Sequence, residues 1–107
     1  MAYSEYLQER ISTYLDQKGV DFEAKKMMGG LTFMVRSKMC VGIVGDDLMA
    51  RIGQDPYEEA LRQEGVRKMD FTGRPMKGYV FISPEVIDSE DQLAYWINLA
   101  LTFNTTL

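Results

Sequence analysis

Apolar residues recur at helical spacing near both ends of the chain. Near the N terminus the spacing predicts an amphipathic helix over residues 3–18, with Ser4 as the N-cap and Gly19 after the C-terminal end. Near the C terminus, Ser89 and Gln92 have the spacing of a capping box and open a last helix. The apolar faces are Tyr3, Leu7, Ile11, Tyr14 and Leu15 in the first helix, and Leu93, Trp96, Ile97, Ala100 and Leu101 in the last.

Between these helices the pattern is typical of β-strands separated by turns. Strands are predicted over residues 22–28, 31–36, 39–44, 48–52 and 79–82, and Ser37-Lys38 separates the second from the third as in a hairpin. Asp55 and Pro56 suit the N-cap and first position of a short helix that Gly65 ends. Residues 66–76 are predicted to be a loop.

The order of these elements predicts an α+β fold. We expect an antiparallel sheet of about five strands, a meander plus a late strand, with the N- and C-terminal helices packed on one face. Long helical crossovers, which a parallel sheet needs, have no place in the hairpin-rich middle. The 107 residues match the size of one domain, and we expect a single domain over residues 1–107.

The composition narrows the classes of function. Histidine is absent and Cys40 is the single cysteine, which excludes Ser-His and Cys-His nucleophiles, imidazole metal sites and zinc ribbons. We therefore favour a non-enzymatic protein and expect no cofactor and no metal. No segment approaches the ~20 apolar residues that cross a bilayer, and no signal-peptide pattern is present. We expect a cytoplasmic protein without membrane contact.

The charge is unevenly distributed along the chain. The net charge is −4, which argues against direct nucleic-acid binding by the whole surface. Residues 25–77, however, hold ten cations against seven anions, whereas both ends are acidic. The middle of the chain is therefore where an anion or an acidic partner is expected to bind.

The predicted loop and the start of the next strand carry the candidate binding site. Cations, a hydroxyl and two glycines suit an anion or an acidic partner, because glycines let backbone amides approach a ligand. The alternative is a turn pinned by its own packing, with solvated cations. The candidate residues are Arg67, Lys68, Thr72, Gly73, Arg74, Lys77 and Gly78, with Lys25, Lys26 and Arg51 as supporting cations if their strands lie near the loop.

Other candidates have simpler structural interpretations. Asp46-Asp47 with Asp55 matches no calcium-loop spacing and is typical of turns. Cys40 lies in an apolar strand, where a buried, inert thiol is usual. The aromatic strand residues lack the consensus of RNA-recognition domains. Five methionines in the sheet region suit core filling or an adaptable partner surface: Met27, Met28, Met34, Met39 and Met49.

Four blocks of sequence resemble the TfoX N-terminal-domain family: residues 25–35 (KKMMGGLTFMV), 39–45 (MCVGIVG), 48–53 (LMARIG) and 69–80 (MDFTGRPMKGYV). The resemblance runs from about Tyr3 to Phe103 and implies a compact α+β domain with an antiparallel sheet. In this chain Arg36-Ser37 replaces the Asn/Asp-Gly turn of many relatives.

The resemblance also has functional implications. Longer members of the family regulate natural competence, acting with the cyclic-AMP receptor protein to promote transcription, and carry a second, helical C-terminal domain. Because the sequence ends at Leu107, we expect a stand-alone version without that second domain. No catalytic residues are established for the family, so the resemblance transfers none.

The leading hypothesis is a regulatory interaction domain that binds a protein partner, with transcription machinery as one candidate partner. Arg74 and Lys77 are its expected contact cations. One alternative is an RNA- or nucleotide-associated accessory protein, or an enzyme of unknown reaction. Another is a self-assembling scaffold, in which an exposed strand edge or the methionine-rich face forms a homodimer.

Overall fold

Helices and strands follow the predicted order in a computed structural model that describes residues 3–27, 29–71 and 74–107, with side chains except those of residues 70, 71, 74 and 75. Over this part of the chain there are three helices and six strands. They are α1 (Glu5–Gln17), β1 (Glu23–Met27), β2 (Gly30–Val35), β3 (Lys38–Val44), β4 (Asp47–Arg51), α2 (Tyr57–Leu61), β5 (Val66–Phe71), β6 (Arg74–Ile82) and α3 (Glu90–Asn104).

The strands form one antiparallel sheet in the order β1-β2-β3-β4-β6-β5. The α+β class and the antiparallel sheet are confirmed. The predicted loop is wrong, because residues 66–71 form a sixth strand that pairs with β6. Val66 and Met69 are buried, whereas Arg67 and Lys68 are exposed, as an edge strand allows. These cations, with the glycine and proline that follow, give the segment a sequence pattern that is typical of a loop.

One hydrophobic core lies between the sheet and the helices. All three helices contribute to it, which confirms the packing of the terminal helices on one face. Phe33 on β2 and Trp96 on α3 are fully buried. Truncation of either ring to alanine is expected to cost about 3–5 kcal/mol of the unfolding free energy.

The ends of α1 match the capping predicted from the sequence. Ser4 Oγ accepts a hydrogen bond from the Leu7 amide at 3.1 Å. Gly19 has φ +71°, and its amide donates to Asp16 O while the Val20 amide donates to Leu15 O. This pair of bonds is the Schellman arrangement, which satisfies the last carbonyls of the helix.

Of the other two helices, α3 has the predicted N-cap and α2 does not. For α3, Ser89 Oγ accepts a hydrogen bond from the Gln92 amide at 3.2 Å, as predicted. For α2, the prediction of Asp55 as N-cap is wrong: Pro56 occupies that position, and no side chain caps the helix. The Tyr57 amide donates instead to the backbone carbonyl of Gln54, so a turn replaces the side-chain cap.

The turn between β2 and β3 lies one residue before the predicted Ser37-Lys38 pair. Arg36 and Ser37 have φ of 54° and 65°, the positive values that a type I′ hairpin turn requires at both central positions. Arg36 donates to Asn104 Oδ1 at 3.0 Å, and Asn104 Nδ2 donates to Val35 O at 3.0 Å. These bonds attach the hairpin to the C-terminal end of α3 and offset the strain of two non-glycine residues at positive φ.

The methionines of the sheet lie mainly on its helix-free face. Because side chains alternate along a strand, Met34 and Met49 point away from the face that carries the buried Phe33 and Leu48. Met39 pairs with Met34 across a β-bulge and shares its face. Met49 is buried because its methyl group packs over Gly42. The described methionines of this set thus cover a sheet face and do not fill the helix–sheet core, whereas Met28 lies outside the described residues.

Candidate functional site

The first two predicted cations, Arg67 and Lys68, lie on edge strand β5. Arg67 donates to Asp47 Oδ2 at 2.6 Å and to Ser83 Oγ at 2.9 Å, and its guanidinium lies 5.8 Å from the ring centroid of Phe81. These contacts hold Arg67 on the helix-free face. Lys68 follows directly on the strand and points to the other side of the sheet. The two cations therefore do not form one patch.

The middle of the predicted site is only partly described. Thr72 and Gly73 lie outside the described residues. The backbone of Arg74 begins β6, and its side chain lies outside the described part. The predicted role of Arg74 as a contact cation therefore stays a prediction.

Two of the supporting cations, Lys25 and Lys26, lie far from the predicted site. Both are exposed on β1, at the opposite edge of the sheet from β5. Five strand spacings separate the two edges, which is about 24 Å. Lys25 Nζ lies 3.6 Å from Glu23 Oε1 of its own strand. The condition for their support, that their strand lies near the predicted loop, is not met.

Three other predicted residues meet in a cleft of about 960 Å³, here called the Arg51 cleft. The end of β4 supplies Arg51, and β6 supplies Lys77 and Gly78. The segment between β4 and α2 and the C-terminal half of α3 form the remaining walls. The lining includes Arg51, Gly53, Lys77, Gly78, Tyr79 and Phe103.

Two glycine backbones cross at the floor of the cleft. Gly53 and Gly78 have φ of 83° and 90°, which side chains rarely adopt. Gly78 O accepts hydrogen bonds from the Ile52 amide at 2.8 Å and the Gly53 amide at 3.2 Å. A Cβ atom on Gly78 would lie 3.3 Å from Gly53 Cα. The absence of side chains therefore lets β6 approach the end of β4 closely.

Aromatic rings position the guanidinium of Arg51. It lies 5.3 Å from the ring centroid of Tyr79 and 5.5 Å from that of Phe103, both within cation–π range. The Phe103 ring packs against Gly53, where a Cβ atom would overlap it. Sequence reasoning missed Gly53 and Phe103 as site residues. A glycine directly after a strand was a visible signal, but nothing local linked it to a ring fifty residues later.

The remaining chemical candidates give little support for catalysis. Cys40 is buried at the bulge of β3, and burial raises the pKa of its thiol from 9.0 to about 12, against the opposing fields of Arg36 and Arg51. The predicted burial of Cys40 is confirmed, and a raised pKa disfavours the thiolate that a nucleophilic cysteine needs. Within the described residues, no group of three or more acidic or cysteine side chains could hold a metal ion.

In the described part of the chain, no helix has the length and apolar character to span a bilayer.

Comparison with known proteins identifies the family. The profile of the TfoX N-terminal domain matches residues 14–104 of the 107, a range that contains the sheet, α2, α3, the last turn of α1 and the whole Arg51 cleft except Thr106. No curated protein matches, and no solved structure matches either. The chain belongs to the TfoX N-terminal domain family, which indicates a competence-regulator-like domain.

Proposed function

We propose that the protein is a non-enzymatic regulatory domain that binds an acidic segment of a protein partner in the Arg51 cleft. One observation carries the proposal: Arg51, Lys77 and Gly78, predicted as binding residues from distant parts of the chain, line the same concave surface. Family membership supports the regulatory role. A component of the transcription machinery is the partner class that fits this role best.

The charges of the cleft suit an acidic partner. Arg51 and Lys77 are cationic, and among the described residues of the lining Asp55 is the one acidic residue. The chain as a whole has a net charge of −4, so the cleft attracts anionic groups against the background of the remaining surface. Such complementarity mainly raises the association rate and selects the partner.

A pull-down with quantified partners tests the proposal. The double variant Arg51→Ala/Lys77→Ala removes both cations of the cleft, and we expect at least a tenfold loss of specifically retained protein. The matched control is Lys25→Ala/Lys26→Ala, which removes the same charge from the opposite edge of the sheet and should retain the partners. Equal retention by both double variants would contradict the proposal.

Self-association is the second candidate function, favoured by the helix-free face of the sheet. Met34, Met39 and Phe81 are partly exposed there. Two rim cations of this face are already paired within the chain, Lys25 with Glu23 and Arg67 with Asp47. A largely apolar face with internally neutralised rim charges suits a second copy of itself, in the manner of packed sheets.

Light scattering after size exclusion decides this second candidate. A homodimer through the helix-free face should dissociate when Met39→Glu places a charge among the methionines, whereas Tyr6→Glu at an exposed position of α1, on the other side of the sheet, serves as the control. If the wild-type protein stays monomeric at a concentration 100-fold above the detection limit of the light-scattering measurement, self-association is rejected.

A further inference from the structure

We infer that the ligand of the Arg51 cleft carries a carboxylate joined to a flat apolar group, such as an aromatic ring. The inference rests on the proposed function only in locating the binding site in this cleft. It goes further in naming the chemistry that is recognised. The source of that chemistry is either an acidic residue beside an aromatic one in a peptide, or a free aromatic acid.

The guanidinium of Arg51 supplies the carboxylate site. A guanidinium has its N–H donors directed along its own plane, where they match a planar carboxylate, and the ring centroids of Tyr79 and Phe103 both lie within cation–π range of Arg51. Among the described residues, no carboxylate lies within the 4.0 Å of an ion pair to Arg51, and no side-chain hydrogen bond from Arg51 is formed. Its donors can therefore form two parallel hydrogen bonds with a ligand carboxylate.

The walls of the cleft supply the apolar site. Leu99 and Phe103 line it from α3, and Tyr79 lines it from β6. Phe103 is held in place because its ring packs on the bare backbone of Gly53. A flat apolar group that lies against these side chains is stabilised because its surface is removed from water. The apolar walls adjoin the guanidinium, so one molecule can contact both.

The size of the cleft favours such a molecule over a simple anion. Sites for small molecules usually measure about 300–1,000 Å³ and are lined mostly by apolar and aromatic side chains with a few polar groups. The Arg51 cleft, at about 960 Å³, lies at the upper end of this range. A phosphate or sulfate ion would leave the rings and Leu99 uncovered.

The charges of the lining favour a single negative charge. Arg51 and Lys77 are opposed by Asp55, which leaves one excess positive charge. Lys77 is exposed and attracts the ligand from the rim, whereas Arg51 is half-buried and contacts it inside. A monocarboxylate matches this balance better than a polyanion does.

Calorimetric titration with 2-naphthoate and its uncharged amide, 2-naphthamide, tests the inference. We expect 2-naphthoate to bind at one site per chain and to lose at least tenfold in affinity in Arg51→Met, which keeps the apolar bulk without the charge. Naphthamide should bind more weakly and equally to both proteins. Lys25→Met is the control and should leave naphthoate affinity unchanged. Circular dichroism and thermal unfolding verify that each variant is folded.

A second pair of probes distinguishes the sources. Acetyl-Asp-Phe-amide should compete with naphthoate if the source is a peptide, and acetyl-Asn-Phe-amide should not. Competition by the first alone supports both the inference and the proposed function. Arg51-dependent naphthoate binding without peptide competition supports the inference for a free acid and counts against the proposed function.

Three results would overturn the inference: no saturable naphthoate binding, equal affinity in Arg51→Met, or equally strong competition by inorganic phosphate. If the cleft double variant loses its partners in the pull-down while naphthoate fails to bind, the proposed function stands and the ligand chemistry inferred here is wrong.

Discussion

Two pairs of basic residues, Lys25-Lys26 and Arg51-Lys77, are both among the cations predicted to bind an anion but have different surroundings in the fold. The first pair lies on β1, an edge strand whose five residues are all exposed. The second pair lines a cleft with Tyr79 and Phe103. A cation in open solvent gains little from an anion, because water screens it. A half-buried guanidinium against aromatic rings is a stronger and more selective site.

A glycine in each of these two regions also has different surroundings, open in one and crowded in the other. Substitution of these glycines gives the largest predicted effect on the unfolding free energy. Gly29, next to the end of β1, and Gly53, in the cleft, have φ of 73° and 83°. A Cβ atom on Gly29 meets nothing within 4 Å, whereas one on Gly53 overlaps the Phe103 ring. Gly53→Ala should therefore lower the unfolding free energy by about 2–4 kcal/mol, from backbone strain plus overpacking.

Gly29→Ala is the matched control, since it adds the same methyl group at a similar φ. It should cost about 1 kcal/mol, from backbone strain alone. Urea titration with linear extrapolation measures both losses, provided that the slope m is unchanged. Equal losses in the two variants would mean that the contact between Gly53 and Phe103 does not hold the cleft in shape.

The same contrast explains what sequence reasoning could and could not reach. The ends of α1 and the hairpin-rich middle follow from local signals, namely Ser4, Gly19 and the alternation of β2 and β3. Strand β5 was missed because Arg67 and Lys68 interrupt its apolar alternation, which only pairing with β6 overrides. The cleft was missed because Phe103 contacts Gly53 through tertiary packing. Local sequence patterns do not predict a contact between residues that lie fifty positions apart.

The interior of the sheet gives a second, smaller effect, which depends on pH. Burial raises the folded-state pKa of Cys40 from 9.0 to about 12. The unfolded chain therefore releases the thiol proton first as the pH rises, so the native state binds more protons and stability falls above about pH 9. From pH 7 to pH 10 this group should remove roughly 1 kcal/mol of the unfolding free energy.

Urea titrations of the wild type and Cys40→Ala at pH 7 and pH 10 isolate this contribution. The variant has its own cavity cost at both pH values, so the measurement is the difference between the two pH-dependent losses. Tyrosine and lysine titrate in both proteins and cancel. Identical pH dependence in the two proteins would show that the thiol at the bulge of β3 is not desolvated.

The ion pairs at the two edges of the sheet give the smallest effect. Arg67 and Asp47 lie 2.6 Å apart with side chains half or less exposed, whereas Lys25 and Glu23 lie 3.6 Å apart and both are more than half exposed. A double-mutant cycle with Arg67→Gln and Asp47→Asn should give a coupling of about 0.5–1 kcal/mol. The cycle with Lys25→Gln and Glu23→Gln should give about 0.2 kcal/mol or less.

The cycle separates the ion pair from the other contacts of Arg67. Its bond to Ser83 and its contact with Phe81 are lost in the single variant and in the double variant alike, so they cancel from the coupling. Repeating both cycles in 1 M NaCl, where the Debye length falls to about 3 Å, should reduce the coupling of the Arg67–Asp47 pair only partly, because that pair is less exposed. A coupling that vanishes equally at both edges would mean that Arg67 is as mobile as Lys25. In that case β5 would present a free cation to a partner, and the binding surface would extend from the Arg51 cleft to the outer edge of the sheet.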